Sequence, residues 1–194
     1  MTKKLLFIFE GVDNSGKSTA IDAIFPELKK QHKICFWNID KIPENDKLVE
    51  LKRYYLAIYA AVKMSSSKIH VMDRSWISEL VYSSVMRGYD ATTDVFYNEL
   101  ERWLLENFEI YIVFCNPIVN VLKNRFNLIG DSYIQKQNIQ RLYDRYNDFL
   151  LRAKITKCNV VEVDTCDFTT LGIAKKVVED VINRYARDND AKTA

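Results

Sequence analysis

Only 5 glycines, 3 prolines and 2 histidines occur in 194 residues. So few chain breakers exclude a collagen-like repeat, a low-complexity tract and a long flexible linker. The cysteines Cys35, Cys115, Cys158 and Cys166 form no CxxC pair and have no histidine at ligand spacing, which gives a zinc site little support. They read as free thiols of a reducing compartment, so a cytoplasmic location is expected. No charge of one sign dominates: 28 Lys+Arg face 26 Asp+Glu, a formal net of +2. That argues against a dedicated binder of nucleic acid or membrane surface, although local patches stay open. No apolar run approaches the ~20 residues of a membrane span. The run Leu5-Leu6-Phe7-Ile8-Phe9 is too short for a signal peptide and meets Glu10 instead of a small-residue cleavage site. It reads as a buried strand.

What is present is an ordinary globular balance, 48% hydrophobic and 28% charged, at a length that fits one domain, 1–194. Short apolar runs alternate with helical stretches. The runs are 5–9, 34–37, 69–72, 110–115 and 160–163. Helices are expected over about 17–31, 48–64, 75–87, 92–107, 117–126, 132–153 and 169–187. Strands alternating with helices imply parallel βαβ units, hence an open α/β sheet covered on both faces. Ligands bind such sheets at the carboxyl ends of the strands. Glu10, Asp73 and Cys115 stand at three such ends.

The strongest motif is Gly11-Val12-Asp13-Asn14-Ser15-Gly16-Lys17-Ser18-Thr19, which satisfies G-x-x-x-x-G-K-[ST] between a strand and a helix. Its glycines let backbone N–H groups curl into an anion nest, and the helix beginning near Lys17 adds its positive dipole end. Lys17, read as a solvated loop cation, supplies charge at the β and γ phosphates, and the Ser18 hydroxyl ligates Mg²⁺. Gly11, Asn14, Ser15, Gly16, Lys17, Ser18 and Thr19 are therefore the ATP-binding candidates. The loop alone leaves open whether the γ-phosphate passes to water or to an acceptor. Asp73, ending the third strand, suits the second metal-side role, and Arg74 can fork onto a phosphate.

At Phe9-Glu10-Gly11-Val12-Asp13-x-Ser15-Gly16-Lys17-Ser18-Thr19 and Asp73-Arg74-Ser75-x-x-Ser78-x-x-Val81-Tyr82 the chain resembles the thymidylate kinases and their relatives, the deoxynucleoside kinases. Phe114-Cys115-Asn116-Pro117 and Glu162-Val163-Asp164-Thr165 are similar to the family's later strand ends. The resemblance implies a P-loop kinase fold, with five parallel strands in the order 2-3-1-4-5 and a short lid at about 123–137. It implies ATP- and Mg²⁺-dependent phosphoryl transfer to a thymidylate-like deoxynucleoside monophosphate. Asp13 matches the carboxylate that orients the acceptor sugar. Arg74 matches the arginine bridging the two substrates, Arg53 a base-reading arginine and Arg125 the first lid arginine. Tyr146 matches a tyrosine further along. Catalysis thus falls to Lys17, Asp13, Arg74 and Arg125, and acceptor binding to Asp13, Phe36, Arg53, Arg74 and Tyr82. Ser18 and Asp73 hold the metal. A homodimer near Trp103 and Tyr55 is also implied.

Several positions depart from the family pattern. Val49 stands in place of its stacking aromatic, Lys41 is the only cation near the usual phosphate-gripping arginine, and neither Asn14 nor 127–133 supplies a further arginine. Other readings of the same residues are a deoxynucleoside kinase, a kinase for a modified base or polynucleotide end, and a nucleotide-binding regulator.

Among the lesser features, His70 is expected to find a polar partner or the surface. Trp37 suits base stacking and core packing equally. Arg141 and Arg145 read as a solvated face that could turn toward the phosphates.

Overall fold

Leu5, Leu6, Phe7, Ile8 and Phe9 are wholly excluded from solvent, as a central strand with both faces covered requires. The structure, a computed structural model, describes residues 3–39, 48–130, 134–155 and 159–190. Lys41, Cys158 and part of the expected lid (131–133) lie outside the described residues. Five strands form one parallel sheet: β1 (Lys4–Glu10), β2 (Ile34–Asn38), β3 (Ile69–Asp73), β4 (Phe108–Cys115) and β5 (Asn159–Val163). Their order is β2-β3-β1-β4-β5, as expected, so the chain reverses direction across the sheet between β3 and β4 on either side of β1.

Strand alternation divides the core. Leu6 and Ile8 join Tyr55, Tyr59, Leu80, Tyr97 and Leu142 on one face. That face is covered by α3 (Leu48–Met64), α4 (Trp76–Tyr82), α5 (Val95–Asn107) and α7 (Ile139–Ile155). Leu5, Phe7 and Phe9 turn to the other face with Ile24, Phe25, Val178 and Ile182. There α1 (Lys17–Ile24), α2 (Leu28–Gln31) and α8 (Phe168–Asp190) close the layer.

Several helices depart from the expected spans for local reasons. The helix expected over 17–31 is two, because Pro26 has no N–H to donate and its ring opposes a continuous helix. The helix expected over 75–87 ends at Tyr82 and runs on as a π-helical turn, Ser83–Arg87, stopped by Gly88 at φ 74°. Ser75 and Asp94 cap α4 and α5 by accepting from Ile77 N and Phe96 N. Beyond Pro117 the chain stays non-helical until α6 (Val119–Ile129). Among the described residues from 134 onward, a short 3-10 turn, Lys136–Asn138, precedes α7, which begins at Ile139 and not near 132 as expected.

His70 does find polar partners, inside the protein. Trp37 Nε1 donates to His70 Nδ1 at 3.0 Å. The indole N–H is donor only, so His70 carries its proton on Nε2 and donates it to Ser67 O at 2.9 Å. That bond holds Trp37 against the sheet, where the half-buried ring packs on the core.

Candidate active site

The chain leaves β1 at Glu10 and turns through 11–16 into α1. Gly11 sits at φ 145°, and a Cβ there would collide with the Cys115 carbonyl oxygen at the end of β4. Gly16, at φ 91°, would press a Cβ onto Thr165 at 2.9 Å. Asn14 between them takes the left-handed conformation at φ 61°, which asparagine tolerates better than most residues. Thr165, in the turn after β5, donates its hydroxyl to Ser15 O at 2.5 Å. The loop is thus braced by the ends of β4 and β5.

A cleft of about 570 Å³ opens over this loop. It is lined by the loop, by Asn38 and Ile39 at the end of β2, by Asp73 and Arg74 at the end of β3, and by Arg125, Ile129 and Thr165. Every metal-side and catalytic candidate, Lys17, Asp13, Ser18, Asp73, Arg74 and Arg125, faces it.

Lys17 is not the solvated cation expected. It is 7% exposed and donates to Gly11 O and Val12 O at 3.0 and 3.1 Å. Burial, assisted by the neighbouring Arg74 cation, lowers its pKa to about 8, while Asp13 and Asp73 pull the other way. A lysine held close to its titration point answers strongly to an approaching polyanion.

Ser18 Oγ donates to Asp73 Oδ2 at 3.2 Å, and Asp73 Oδ1 is buried with no hydrogen-bond partner. Among the described residues no cluster of three or more His, Cys, Asp or Glu could hold a metal alone. Mg²⁺ asks for less: one or two protein oxygens, with the remainder from water and phosphate. The hydroxyl and the half-satisfied carboxylate fit that demand.

Asp13 and Arg74 form a buried ion pair through Oδ1 and Nη2. Tyr82 OH donates to the other carboxylate oxygen at 2.9 Å and accepts from Asp13 N at 3.3 Å. Arg74 takes a left-handed backbone conformation, φ 72°, and its N–H is held by Phe9 O at 3.0 Å. That conformation is costly for a residue with a Cβ and is maintained by its surroundings. Tyr82 therefore serves the cleft by fixing Asp13.

Arg125 reaches across the cleft mouth from α6. Its guanidinium donates to Asn14 O and Thr165 Oγ1, both at 3.2 Å, and to Thr165 O at 3.4 Å. These bonds tie the lid side to the loop and to the turn after β5.

Two acceptor candidates sit elsewhere. Phe36 is turned away from the cleft: its ring packs edge-on to Phe25 at 5.6 Å, with Lys29 Nζ 3.9 Å above it. The alternation of β2 places it with the α1 and α8 layer, so the acceptor role expected of Phe36 is corrected. Arg53 is exposed on α3 and does not line the cleft. Tyr55 and Tyr59 are core residues, their rings stacked at 6.5 Å. Arg145 is bound to Ser84 at 3.2 Å and faces Asp90 at 3.6 Å, and Arg141 is exposed.

Residue spacing did not single out Asn38, Ile39 or Ile129, whose positions in the cleft wall come only from the packing of separate elements. Glu10 and Ser78 belong to the two motifs but carry no role that spacing reveals, yet they form a buried polar knot behind the ion pair.

Three comparisons bear on this geometry. Residues 1–171 match the family model of polyphosphate kinase 2 (PPK2). The SPbeta prophage-derived protein YorR of Bacillus subtilis (strain 168) is 24% identical over 175 residues, which cover 89% of this chain and 96% of YorR. The crystal structure of YorR in complex with phosphorylated GDP is similar at TM-score 0.67 and 21% identity, covering 93% of this chain and 98% of that one. Deoxyadenosine kinase from M. mycoides, with the products dCMP and dCDP, is similar at TM-score 0.58 and 14% identity, over 93% and 100% of the two chains. At such identities the structural likeness speaks for the fold alone. With most of its length matched by the family model, the chain belongs to the polyphosphate kinase 2 (PPK2) family of P-loop kinases.

Proposed function

We propose that this protein transfers the γ-phosphoryl group of ATP, with Mg²⁺, to a thymidylate-like deoxynucleoside monophosphate. The observation that carries the reading is the juxtaposition of the phosphate-loop Lys17 and the buried Asp13–Arg74 pair in one cleft. A phosphate-donor site and an ion pair able to grip an acceptor then share a wall. Such transfer depends on positioning and charge more than on covalent chemistry.

In this reading Lys17 leaves its two loop carbonyls for the β and γ phosphates. Arg74 keeps guanidinium N–H groups beyond those spent on Asp13 and Ser78. They are suited to bridge the phosphates of donor and acceptor. Asp13 is the proposed partner of the acceptor sugar. Ser18 and Asp73 would hold Mg²⁺, which supplies charge neutralisation at the β and γ oxygens.

Arg53 is the proposed reader of the base, a role that requires the acceptor to extend past the phosphate cleft to the exposed side of α3. A guanidinium donates only, so it favours the O4 acceptor of thymine or uracil over the amino group of cytosine, by ~1–3 kcal/mol. We further propose a homodimer that closes the apolar groove of about 500 Å³ between α3 and α5, lined by Leu56, Phe96 and Trp103 among others. Tyr55, only 2% exposed, is not part of the groove lining.

The family match supports a second reading, in which polyphosphate replaces ATP as the phosphate chain in the loop. The likeness to a deoxyadenosine kinase supports a third, with a free nucleoside as acceptor. A coupled ADP-release assay across deoxynucleosides and their monophosphates, with a parallel arm supplying polyphosphate, separates the three. Turnover of thymidylate with ATP supports the proposal. Turnover confined to polyphosphate or to nucleosides replaces it, and ATP binding without turnover on any acceptor makes the protein a regulator. A purine preference, including for the guanine nucleotides seen with YorR, would remove the role given to Arg53. Arg53→Ala should otherwise flatten the thymine-over-cytosine preference and leave ATP affinity unchanged.

A further inference from the structure

Glu10 ends β1 with its carboxylate 1% exposed, directly behind the cleft wall. Three hydroxyls converge on it: Ser75 Oγ at 2.7 Å, Ser78 Oγ at 2.9 Å and Tyr146 OH at 3.0 Å. Burial raises its pKa, while Arg74 and the two serines favour the charged form. The three donors show which state the geometry suits. A carboxylate that accepts on both oxygens needs no proton of its own.

Proton counting then gives Ser78 a direction. Its single O–H proton points to Glu10 Oε2, so its oxygen is free to accept, and Arg74 Nη1 donates to it at 3.2 Å. The other arm of the same guanidinium is held by Asp13. Arg74 is therefore fixed from two sides, directly by one carboxylate and through a serine by another. Tyr146 adds a third connection. It lies on α7, beyond the lid segment, and donates its single O–H proton to Glu10 Oε2, which leaves its oxygen in contact with Ser78 Oγ at 3.2 Å with no hydrogen between them.

We infer that Glu10 is a positioning residue that orients Arg74 through Ser78 and, through Tyr146, ties that orientation to the placement of α7. The role deepens the phosphoryl-transfer reading above, on which its effect on turnover rests. Neither Glu10 nor Ser78 lines the cleft, so both act through the guanidinium. A fork held at both arms presents its remaining N–H groups in one direction, and misplacing such a group by about 1 Å costs on the order of 100-fold in rate.

The test combines a readout that needs no substrate with one that does. Side-chain ¹⁵N NMR of the full chain, with the Arg74 signal assigned by its loss in Arg74→Lys, reports rotation of the guanidinium. We expect restricted rotation in the unmodified protein, free rotation in Ser78→Ala and Glu10→Gln, and an intermediate state in Tyr146→Phe. In turnover, Ser78→Ala should lower kcat on the order of 10- to 100-fold with KM for ATP unchanged. In an Arg74→Lys background the same substitution should change nothing further. If Glu10→Gln does not fold, Ser78→Ala carries the same measurement. An Arg74 signal equally rigid in all variants, or a Ser78→Ala effect of the same size in both backgrounds, overturns the inference. A loosened signal in a protein that phosphorylates no acceptor leaves the positioning role standing and sinks the proposed function instead.

Discussion

Thr165 and Gly16 are in direct contact across the cleft floor, 149 positions apart in the chain: a Cβ on Gly16 would lie 2.9 Å from both Cβ and Oγ1 of Thr165. The same hydroxyl donates to Ser15 O. Gly16→Ala therefore meets two penalties at once. The left-handed backbone at φ 91° costs a residue with a Cβ about 1–2 kcal/mol, and Thr165 must move off the loop. The expected outcome is a lower unfolding midpoint and weaker binding of a fluorescent ATP analogue. Unchanged affinity would show that the loop does not need this brace.

Lys17→Met keeps the aliphatic stem in its buried slot and removes only the cation. Turnover should fall by more than tenfold, a loss above ~1.4 kcal/mol, with a smaller change in thermal stability. A variant that keeps most of its rate would mean that the donor phosphates lie elsewhere.

Because the Lys17 pKa is lowered to about 8 in the free protein, its charge is half lost near that pH. A bound triphosphate favours the ammonium form and draws the proton back. Binding should therefore take up a proton just above pH 8, and the Kd for ATP should rise as pH increases through that range. Calorimetric titrations in two buffers of different ionisation enthalpy measure the uptake directly. No uptake would mean that Lys17 does not meet the phosphates.

His70 is neutral in the folded state. Burial, with a smaller contribution from Lys4, lowers its pKa from 6.5 to about 4 against the opposing bond to Ser67. The unfolded chain binds the proton more readily, so the stabilising effect is complete above about pH 6.5 and is lost as pH falls toward 4. The difference corresponds to about 3 kcal/mol in all. Urea unfolding at pH 7 and pH 5 should show about 2 kcal/mol of this loss, and His70→Gln should show less of it. An identical pH dependence in both proteins would assign the acid sensitivity to other groups.

Sedimentation at micromolar concentration tests the proposed closure of the α3–α5 groove. A dimer is expected, shifting toward monomer in Trp103→Glu, whose charge would face the groove lining. A species of only 22.8 kDa in the unmodified protein would exclude it.

Much of the donor half of the site was legible in the sequence, because its signals are local. Gly11, Gly16, Lys17 and Ser18 lie within one turn and the helix it opens, and their spacing alone prescribes an anion nest. Asp73 and Arg74 follow a strand end, and alternating strands and helices carry that end to the same rim. The parallel sheet followed from the same alternation, and its order from the switch-point rule with the family resemblance. Pro26 was also a local signal, and the split between α1 and α2 shows its weight against a continuous apolar pattern.

Tertiary structure decided what depends on contacts between distant segments. The face on which Phe36 lies was not readable, since β2 is a short run of apolar residues with no polar alternation to mark one side. Burial of Lys17 depends on the surrounding rim and not on its own motif. Arg125 could be placed on a lid helix from its neighbours, but that helix packing brings its guanidinium to Thr165, 40 residues on. Glu10, Ser78 and Tyr146 come from β1, α4 and α7, and only the stacking of those helices on the sheet makes them one knot. Local spacing determines backbone shape and which residue types stand at a strand end. The partners of a buried polar group are determined by the packing of elements remote in sequence, because a desolvated group must find its hydrogen bonds wherever the fold delivers them.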